Sequence, residues 1–252
     1  MSRQLKIGVN GAGGKMGKEV IKALALEEDL VLSAACDPSF EKEDVGLLAG
    51  IKPNGVIIDK TMPEAVNKAD IWVDFTRPDV VKENIAVALS AGKNIVVGTS
   101  GLSESYVTSL VTNGIGVLVV PNFALGAVLM MQFAKTAYRF FPHAEIIELH
   151  HDQKVDAPSG TAVKTAELLG ADTKATNEGA RGGNYSGIHI HSVRLPGLVA
   201  HQEIIFGGPG QLLTIRHDSL DRASFMPGVM LAIREVSKLS GPVYGLEHVL
   251  GL

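Results

Sequence analysis

A glycine-rich turn near the N-terminus is the feature that most constrains the fold of this chain. An apolar segment at residues 5–10 is followed by three glycines at a spacing of three, Gly11, Gly14 and Gly17. Apolar residues then recur at helical spacing from about Lys15 onward. Glycine permits the tight turn, and a helix N-terminus offers free N–H groups to a phosphate. The pattern predicts a strand–turn–helix unit that binds the pyrophosphate of a dinucleotide.

An acidic residue stands where such a unit would use one. A second apolar segment, residues 30–35, is followed by Asp37, and an acid about 20 residues beyond the last glycine is placed to hold ribose hydroxyls. Because of Gly13, the motif is G-x-x-G-x-x-G with an extra glycine rather than G-x-G-x-x-G. A tight turn without a ligand therefore remains the alternative.

The first half of the chain continues as alternating strands and helices. Strands are predicted at 55–58, 71–75, 94–97 and 117–120, and helices at 62–67, 79–91 and 103–112. Strands joined by short helices predict a parallel sheet with right-handed crossovers. Ligands of such sheets bind beyond the carboxyl ends of the strands. Three loops at those ends are therefore candidate cofactor contacts, at residues 75–77, 98–100 and 121–124.

The second half follows a different pattern. An apolar helix is predicted at 126–139, a strand at 144–149, a helix at 161–169, a long mobile loop at 171–187, alternating strands at 188–194, 199–206 and 212–218, and an amphipathic helix at 225–239. Short connections between the alternating segments favour antiparallel pairing. We therefore expect an α/β protein with a Rossmann-type parallel-sheet domain and a smaller α+β domain whose sheet is mostly antiparallel. The expected domains are residues 1–125 with 223–252 for the dinucleotide, and residues 126–222 for substrate and oligomerisation.

A cluster of polar residues stands where the strand at 144–149 should simply end in a turn. His150, His151 and Lys154 lie within five residues, and a Ser159-Gly-Thr161 turn then begins a helix. Proton-transfer groups thus precede a helix N-terminus, which favours an anion. Surface residues beside a plain helix cap are the alternative. The crowding of the whole cluster favours a functional site.

Composition excludes several functional classes. A net charge of −4 without a basic run argues against nucleic-acid binding, and no segment approaches 18 uninterrupted apolar residues. The single cysteine, Cys36, excludes an intramolecular disulfide, and the absence of an apolar signal core predicts a cytoplasmic protein. No metal site is expected, because the nearest approach to ligand spacing is the pair His189 and His191. With Arg194, these two are expected to be half-exposed sheet residues.

The motifs together resemble the dihydrodipicolinate reductase family, also called 4-hydroxy-tetrahydrodipicolinate reductase. The matching segments lie in order at residues 9–17, 74–78, 97–99, 122–123 and, most specifically, 148–162. The resemblance implies reduction of 4-hydroxy-tetrahydrodipicolinate, via dihydrodipicolinate, to tetrahydrodipicolinate in lysine and diaminopimelate biosynthesis. It also implies NADH or NADPH as cofactor, a small dicarboxylate substrate, and a homotetramer built through the sheet of the second domain.

The resemblance further implies roles for individual residues. His150 aligns with the acid/base histidine of the family and Lys154 with its proton donor. His151, Gly160 and Thr161 align with contacts to the substrate carboxylate. The positions that align with cofactor contacts are Gly11, Ala12, Gly13, Gly14, Lys15, Met16, Asp37, Gly98, Thr99, Ser100, Pro121, Asn122, Phe123 and Ala124.

One departure from the family concerns the choice of cofactor. Many members carry Glu-Arg where this chain has Asp37 and Pro38. A carboxylate repels the 2′-phosphate of NADPH, and proline offers no cation to offset it. We therefore expect both cofactors to work and NADH to be preferred. Two other functions stay open at this point: a Rossmann dehydrogenase that oxidises an amino or hydroxy acid, and a nucleotide-sensing protein without catalysis.

Overall fold

The computed structural model describes residues 4–170, 175–176, 182–185 and 187–251. The chain divides into two compact units, the first made of Met1–Phe123 and Phe225–Leu252 and the second of Ala124–Ser224. Each unit contains its own six-stranded sheet.

The sheet of the first unit is parallel throughout. Its strands are β1 (Leu5–Asn10), β2 (Leu30–Cys36), β3 (Ile71–Asp74), β4 (Asn94–Val97), β5 (Val117–Val119) and β12 (Pro242–Tyr244), in the order β12-β5-β4-β3-β1-β2. The central strand β3 is buried along its whole length, and Trp72 on it is fully inaccessible. Strands covered on both faces require such continuous apolar runs. The predicted Rossmann-type parallel sheet is confirmed.

Helices of the first unit connect these strands. They are α1 (Lys15–Leu24), α2 (Val45–Ala49), α3 (Met62–Ala65), α4 (Val81–Ser90), α5 (Glu104–Thr108) and α8 (Met226–Val236), with 3-10 turns at Val66–Lys68 and Leu246–Val249; a further 3-10 turn, Arg222–Phe225, spans the sequence boundary between the two units. The predicted strand at 55–58 is wrong, because this segment makes a single isolated bridge, between Asp44 and Ile57. The Asp44 side chain accepts hydrogen bonds from the N–H groups of Leu47 and Gly55, which favours a helix cap and turn there.

The sheet of the second unit is mixed. Its strands are β6 (His143–His150), β7 (Ala175–Thr176), β8 (Gly183–Tyr185), β9 (Ile188–Arg194), β10 (Ala200–Gly208) and β11 (Gln211–Ser219), in the order β11-β10-β6-β9-β8-β7. All neighbours are antiparallel except β6 and β9. The predicted mostly antiparallel sheet is therefore confirmed.

Two helices, α6 (Leu125–Tyr138) and α7 (Gly160–Leu168), complete the second unit. One core cluster contains Met130 and Ala134 of α6, Ala166 of α7, and Ile146 and Phe206 of the sheet. The loop predicted at 171–187 is wrong where β7 and β8 form, and most of its remainder lies outside the described residues. No helix in the described parts of the chain is long and apolar enough to cross a membrane.

Candidate active site

The glycine-rich turn of the first unit has a shape that only glycine fits. Gly11 has a φ of +75°, and its N–H donates to the carbonyl oxygen of Cys36 at 2.9 Å. A Cβ at Gly17 would lie 2.1 Å from the carbonyl oxygen of Gly11, far inside van der Waals contact. The turn therefore packs directly against the first residues of α1, leaving the helix N-terminus open to a phosphate.

Asp37 at the end of β2 contacts this turn. One carboxylate oxygen accepts a hydrogen bond from the N–H of Gly13 and the other from the N–H of Ser39, each at 3.0 Å. A Cβ at Gly13 would lie 2.1 Å from the ring of Phe40 and 3.0 Å from Asp37. The predicted glycine and acidic positions thus meet, an arrangement that suits the pyrophosphate and ribose of a dinucleotide.

A buried carboxylate lies at the carboxyl end of β3. Asp74 has no exposed surface, and its Oδ1 accepts from the N–H and hydroxyl of Thr76 at 3.1 and 2.7 Å and from the hydroxyl of Thr99 at 2.6 Å. Its Oδ2 accepts from the amides of Asn84 at 2.7 Å and Asn10 at 3.3 Å. Asp74 therefore ties the ends of β1, β3 and β4 together. Sequence reasoning chose the neighbouring loops but overlooked this residue, although an acid ending an apolar strand was a visible signal.

The three predicted cofactor loops converge around two aromatic rings. The rings of Phe75 and Phe123 are tilted by 51° with centroids 5.6 Å apart. A Cβ at Gly98 would lie 2.1 Å from the first ring and 2.8 Å from the second. Lys15, Ser100 and Pro121 are exposed, Met16 and Asn122 are half-buried, and Ala12 and Ala124 are buried.

In the second unit, Glu148 is the first residue of the predicted catalytic stretch. Its carboxylate is fully buried on β6. The carboxylate lies 2.5 Å from Nδ1 of His150. Arg194 of β9 donates to both oxygens, from Nη1 at 2.9 Å and from Nη2 at 2.7 Å. Because β6 and β9 are parallel with His150 opposite Arg194, the pairing brings these residues together.

The charge on Glu148 is strongly stabilised. Burial by itself would raise the pKa of Glu148, but hydrogen bonds from His150, Arg194 and Ser192 outweigh it and lower the pKa to about 2. A buried carboxylate is therefore kept ionised beside a histidine, in an arrangement that holds an imidazole ring in a fixed orientation.

Lys154 lies in the turn after β6. Its Nζ donates to both carboxylate oxygens of Asp156, at 2.7 and 2.8 Å, and this hydrogen bond lowers the pKa of Asp156. Arg194 also donates to the backbone carbonyl of Asp156 at 2.8 Å. One guanidinium therefore connects the strand that bears His150 with the turn that bears Lys154.

The turn ends at the N-terminus of α7. The buried Ser159 caps this helix by accepting from the N–H of Ala162 at 3.3 Å. Gly160 is exposed, Thr161 is half-buried and His151 is exposed. The first N–H groups of the helix have no intrahelical acceptor, so this end of α7 suits a carboxylate.

Sequence reasoning overlooked Glu148 and the ion pair of Arg194. Arg194 lies on a strand and is half-buried, with 18% of its side chain exposed, which agrees with the expectation, but its two-pronged ion pair was not foreseen. Glu148 and His150 are two residues apart and therefore share a face of their strand, which could be predicted from the sequence. Their contact with Arg194 could not, because it depends on the register between two strands more than forty residues apart. In the described ranges, no three histidine, cysteine, aspartate or glutamate side chains are grouped to hold a metal ion.

Comparison with known proteins gives one consistent result. Residues 5–123 match the family model for dihydrodipicolinate reductase, N-terminus, and residues 126–250 match the one for its C-terminus. A 4-hydroxy-tetrahydrodipicolinate reductase of Desulfitobacterium hafniense is 50% identical, with 98% of this chain and 99% of that protein aligned. The one of Moorella thermoacetica is 47% identical, with 99% of each chain aligned. The dipicolinate-bound dihydrodipicolinate reductase of Paenisporosarcina sp. TG-14 superposes with a TM-score of 0.82 at 41% identity, covering 98% of this chain and 100% of that one.

Proposed function

This chain belongs to the dihydrodipicolinate reductase family, and we propose that it reduces 4-hydroxy-tetrahydrodipicolinate, via dihydrodipicolinate, to tetrahydrodipicolinate with NADH or NADPH. The step belongs to lysine and diaminopimelate biosynthesis. The observation that carries the proposal is the match of both family models over residues 5–123 and 126–250, together with identity near 50% to named reductases over nearly their full length.

The first unit is proposed to hold the dinucleotide. Its glycine turn and the N-terminus of α1 would receive the pyrophosphate, Asp37 the adenosine ribose, and the loops at 98–100 and 121–124 the nicotinamide end. A bound reduced nicotinamide supplies a hydride to one carbon of a conjugated cyclic imine. The hydrogen bond from the N–H of Gly13 to Asp37 supports this assignment, because it holds the carboxylate beside the glycine turn.

The second unit is proposed to bind the dicarboxylate and manage its proton. The N–H groups of Gly160 and Thr161, with His151, would hold one carboxylate at the N-terminus of α7. Lys154 would donate a proton to the carbon next to the reduced one, and His150 would act as the acid/base histidine. The contact of Lys154 with Asp156 supports this role, because Lys154 already pairs with a carboxylate. A carboxylate of the substrate would take the place of Asp156 as that partner.

The choice of cofactor is proposed to favour NADH. Asp37 places a carboxylate at the turn, and Pro38 beside it has no side-chain donor. Of the remaining nearby lysines, Lys42 is 84% exposed and lies 3.5 Å from Glu41, while Lys15 is exposed. Ion pairs at exposed positions are weak because water and salt screen them, so these lysines would offset only part of the repulsion between Asp37 and a 2′-phosphate. We further propose a cytoplasmic homotetramer assembled through the sheet of the second unit; light scattering at micromolar concentration would give its mass.

The test is oxidation of NADH and NADPH followed at 340 nm, with the substrate generated by dihydrodipicolinate synthase from pyruvate and aspartate semialdehyde. We expect absorbance to fall only when synthase and both of its substrates are present. Oxidation of an amino or hydroxy acid by NAD, with no turnover of the cyclic compound, would indicate a different dehydrogenase. Binding of NADH without any turnover would indicate a sensor.

A further inference from the structure

We propose that Glu148 is the positioning residue for His150: it fixes the imidazole with its proton on Nδ1, while Arg194 fixes Glu148 and the Lys154 turn in one arrangement. Nε2 of His150 is then the nitrogen available for proton exchange. The inference rests on the proposed function, in which His150 is the acid/base histidine.

The geometry limits the carboxylate to one orientation. Arg194 engages both oxygens at 2.7 and 2.9 Å, and the second of these oxygens also lies 2.5 Å from Nδ1 of His150. A two-pronged guanidinium–carboxylate pair is planar and directional, so the carboxylate cannot rotate without breaking two bonds. The position of Nδ1 is therefore set by a rigid partner rather than by solvent.

The charge state decides which atom carries the shared proton. Glu148 is fully buried, and the hydrogen bonds it accepts lower its pKa to about 2, so it is ionised at neutral pH. An ionised carboxylate can only accept hydrogen bonds. The proton between the two groups must therefore belong to Nδ1 of His150, which defines the tautomer.

Arg194 extends this control to the second catalytic candidate. Nη2 of Arg194, which contacts Glu148, also donates to the backbone carbonyl of Asp156 at 2.8 Å. The carboxylate of Asp156 in turn accepts a hydrogen bond from Lys154. Glu148 thereby balances the charge of the guanidinium that holds the Lys154 turn. Loss of Glu148 should disturb both groups, whereas a purely structural ion pair would change only stability.

The experiment compares four full-length variants with the wild type. Glu148→Gln removes the charge, and Glu148→Asp keeps it on a shorter side chain. The double variant Glu148→Met with Arg194→Met removes both ions without leaving one buried alone, a replacement that folds tolerate well. Glu145→Gln is the matched control: this residue lies on the same strand and pairs with a different histidine, His191, at 2.8 Å.

Two quantities are measured for each variant, with and without NADH. The first is the His150 tautomer, from the two ring 15N shifts in histidine-labelled protein, with the resonances assigned by a His150→Gln variant. The second is the separation of kcat from KM in the coupled assay. We expect Nδ1 protonation in the wild type and the Glu145→Gln control, and its loss in the double variant.

The kinetic expectation follows from the loss of orientation. Substitution of the groups that orient a metal-binding histidine typically costs about 10–100-fold in activity, and we take the same scale for the orientation of His150. We expect kcat to fall by at least about tenfold in Glu148→Gln and in the double variant, with partial recovery in Glu148→Asp. An unchanged tautomer in the double variant, or wild-type kcat in folded Glu148→Gln, would overturn the inference. A wild type that lacks turnover would instead overturn the proposed function, and the tautomer would still test the positioning.

Discussion

The substitution Asp74→Asn tests whether one buried carboxylate holds the cofactor end of the first sheet together. Five hydrogen bonds converge on this residue, three on Oδ1 and two on Oδ2. All five donors belong to Thr76, Thr99, Asn84 and Asn10. The substitution keeps the size of the side chain, removes its charge and turns one acceptor into a donor.

The expected cost follows from these contacts. The NH2 group of the asparagine can take the position of either carboxylate oxygen. The position of Oδ2 is the less unfavourable, because two donors point at it, whereas three point at Oδ1. Asn10 can turn its own amide to help, because its Oδ1 has no hydrogen-bond partner among the described residues. At least one donor then stays unsatisfied, which costs about 1–3 kcal/mol, and the other bonds lose their ionic character. A neutral asparagine also costs less to bury than a carboxylate, which offsets part of this loss. We therefore expect the free energy of unfolding to fall by about 2 kcal/mol.

The single tryptophan makes this measurable. Trp72 is fully buried on β3, two residues before Asp74, so its fluorescence in urea reports unfolding of the first unit. The control is Asp79→Asn, which removes only an exposed ion pair with Arg77 and should cost less than about 1 kcal/mol. If the unfolding free energies of the two variants differ by less than about 0.5 kcal/mol, Asp74 does not organise these loops.

Three further predictions concern the proposed binding and catalytic residues. Lys154→Ala should lower kcat by about 10²–10⁴-fold and raise KM, whereas His150→Ala should mainly lower kcat; near-normal turnover in both would contradict their roles. Asp37→Ala should narrow the gap between NADH and NADPH in kcat/KM, and a wild type that already has the lower KM for NADPH would contradict the interpretation. Gly17→Ala forces a Cβ to within 2.1 Å of the Gly11 carbonyl, so thermal denaturation should show a loss of about 1–3 kcal/mol and NADH titration a weaker affinity; wild-type values in both would refute this packing argument.

Much of the first sheet could be predicted from local sequence. The glycine turn allowed β1 and α1 to be predicted, because the backbone at Gly11 has a φ of +75°, which favours glycine. The alternation that follows predicted β3, β4 and β5 because strands buried on both faces are continuous apolar runs. β12 was overlooked, since three residues beginning with Pro242 carry no periodic signal and pair only by virtue of their place beside β5. The family resemblance drawn from these motifs is confirmed by the comparisons.

The predicted catalytic stretch shows which contacts cannot be predicted from neighbouring residues alone. His150, Lys154 and the cap at Ser159 are close in sequence, so their clustering could be predicted. The ion pair of Glu148 with Arg194 could not, because it depends on the register of two parallel strands with a long connection between them. The roles of the individual residues remain predictions, since the fold positions them but does not display a reaction.

The measurement that tests the central claim most directly is the transfer of deuterium to the ring of the product from NADH that carries deuterium at both C4 positions. The protein, labelled NADH and the cyclic compound formed by the synthase are incubated together, and the reduced dicarboxylate is analysed by mass spectrometry. We predict tetrahydrodipicolinate that carries one non-exchangeable deuterium and that the Lys154→Ala variant forms about 10²–10⁴-fold more slowly. Absence of the reduced dicarboxylate, or its formation without the label, would contradict the account.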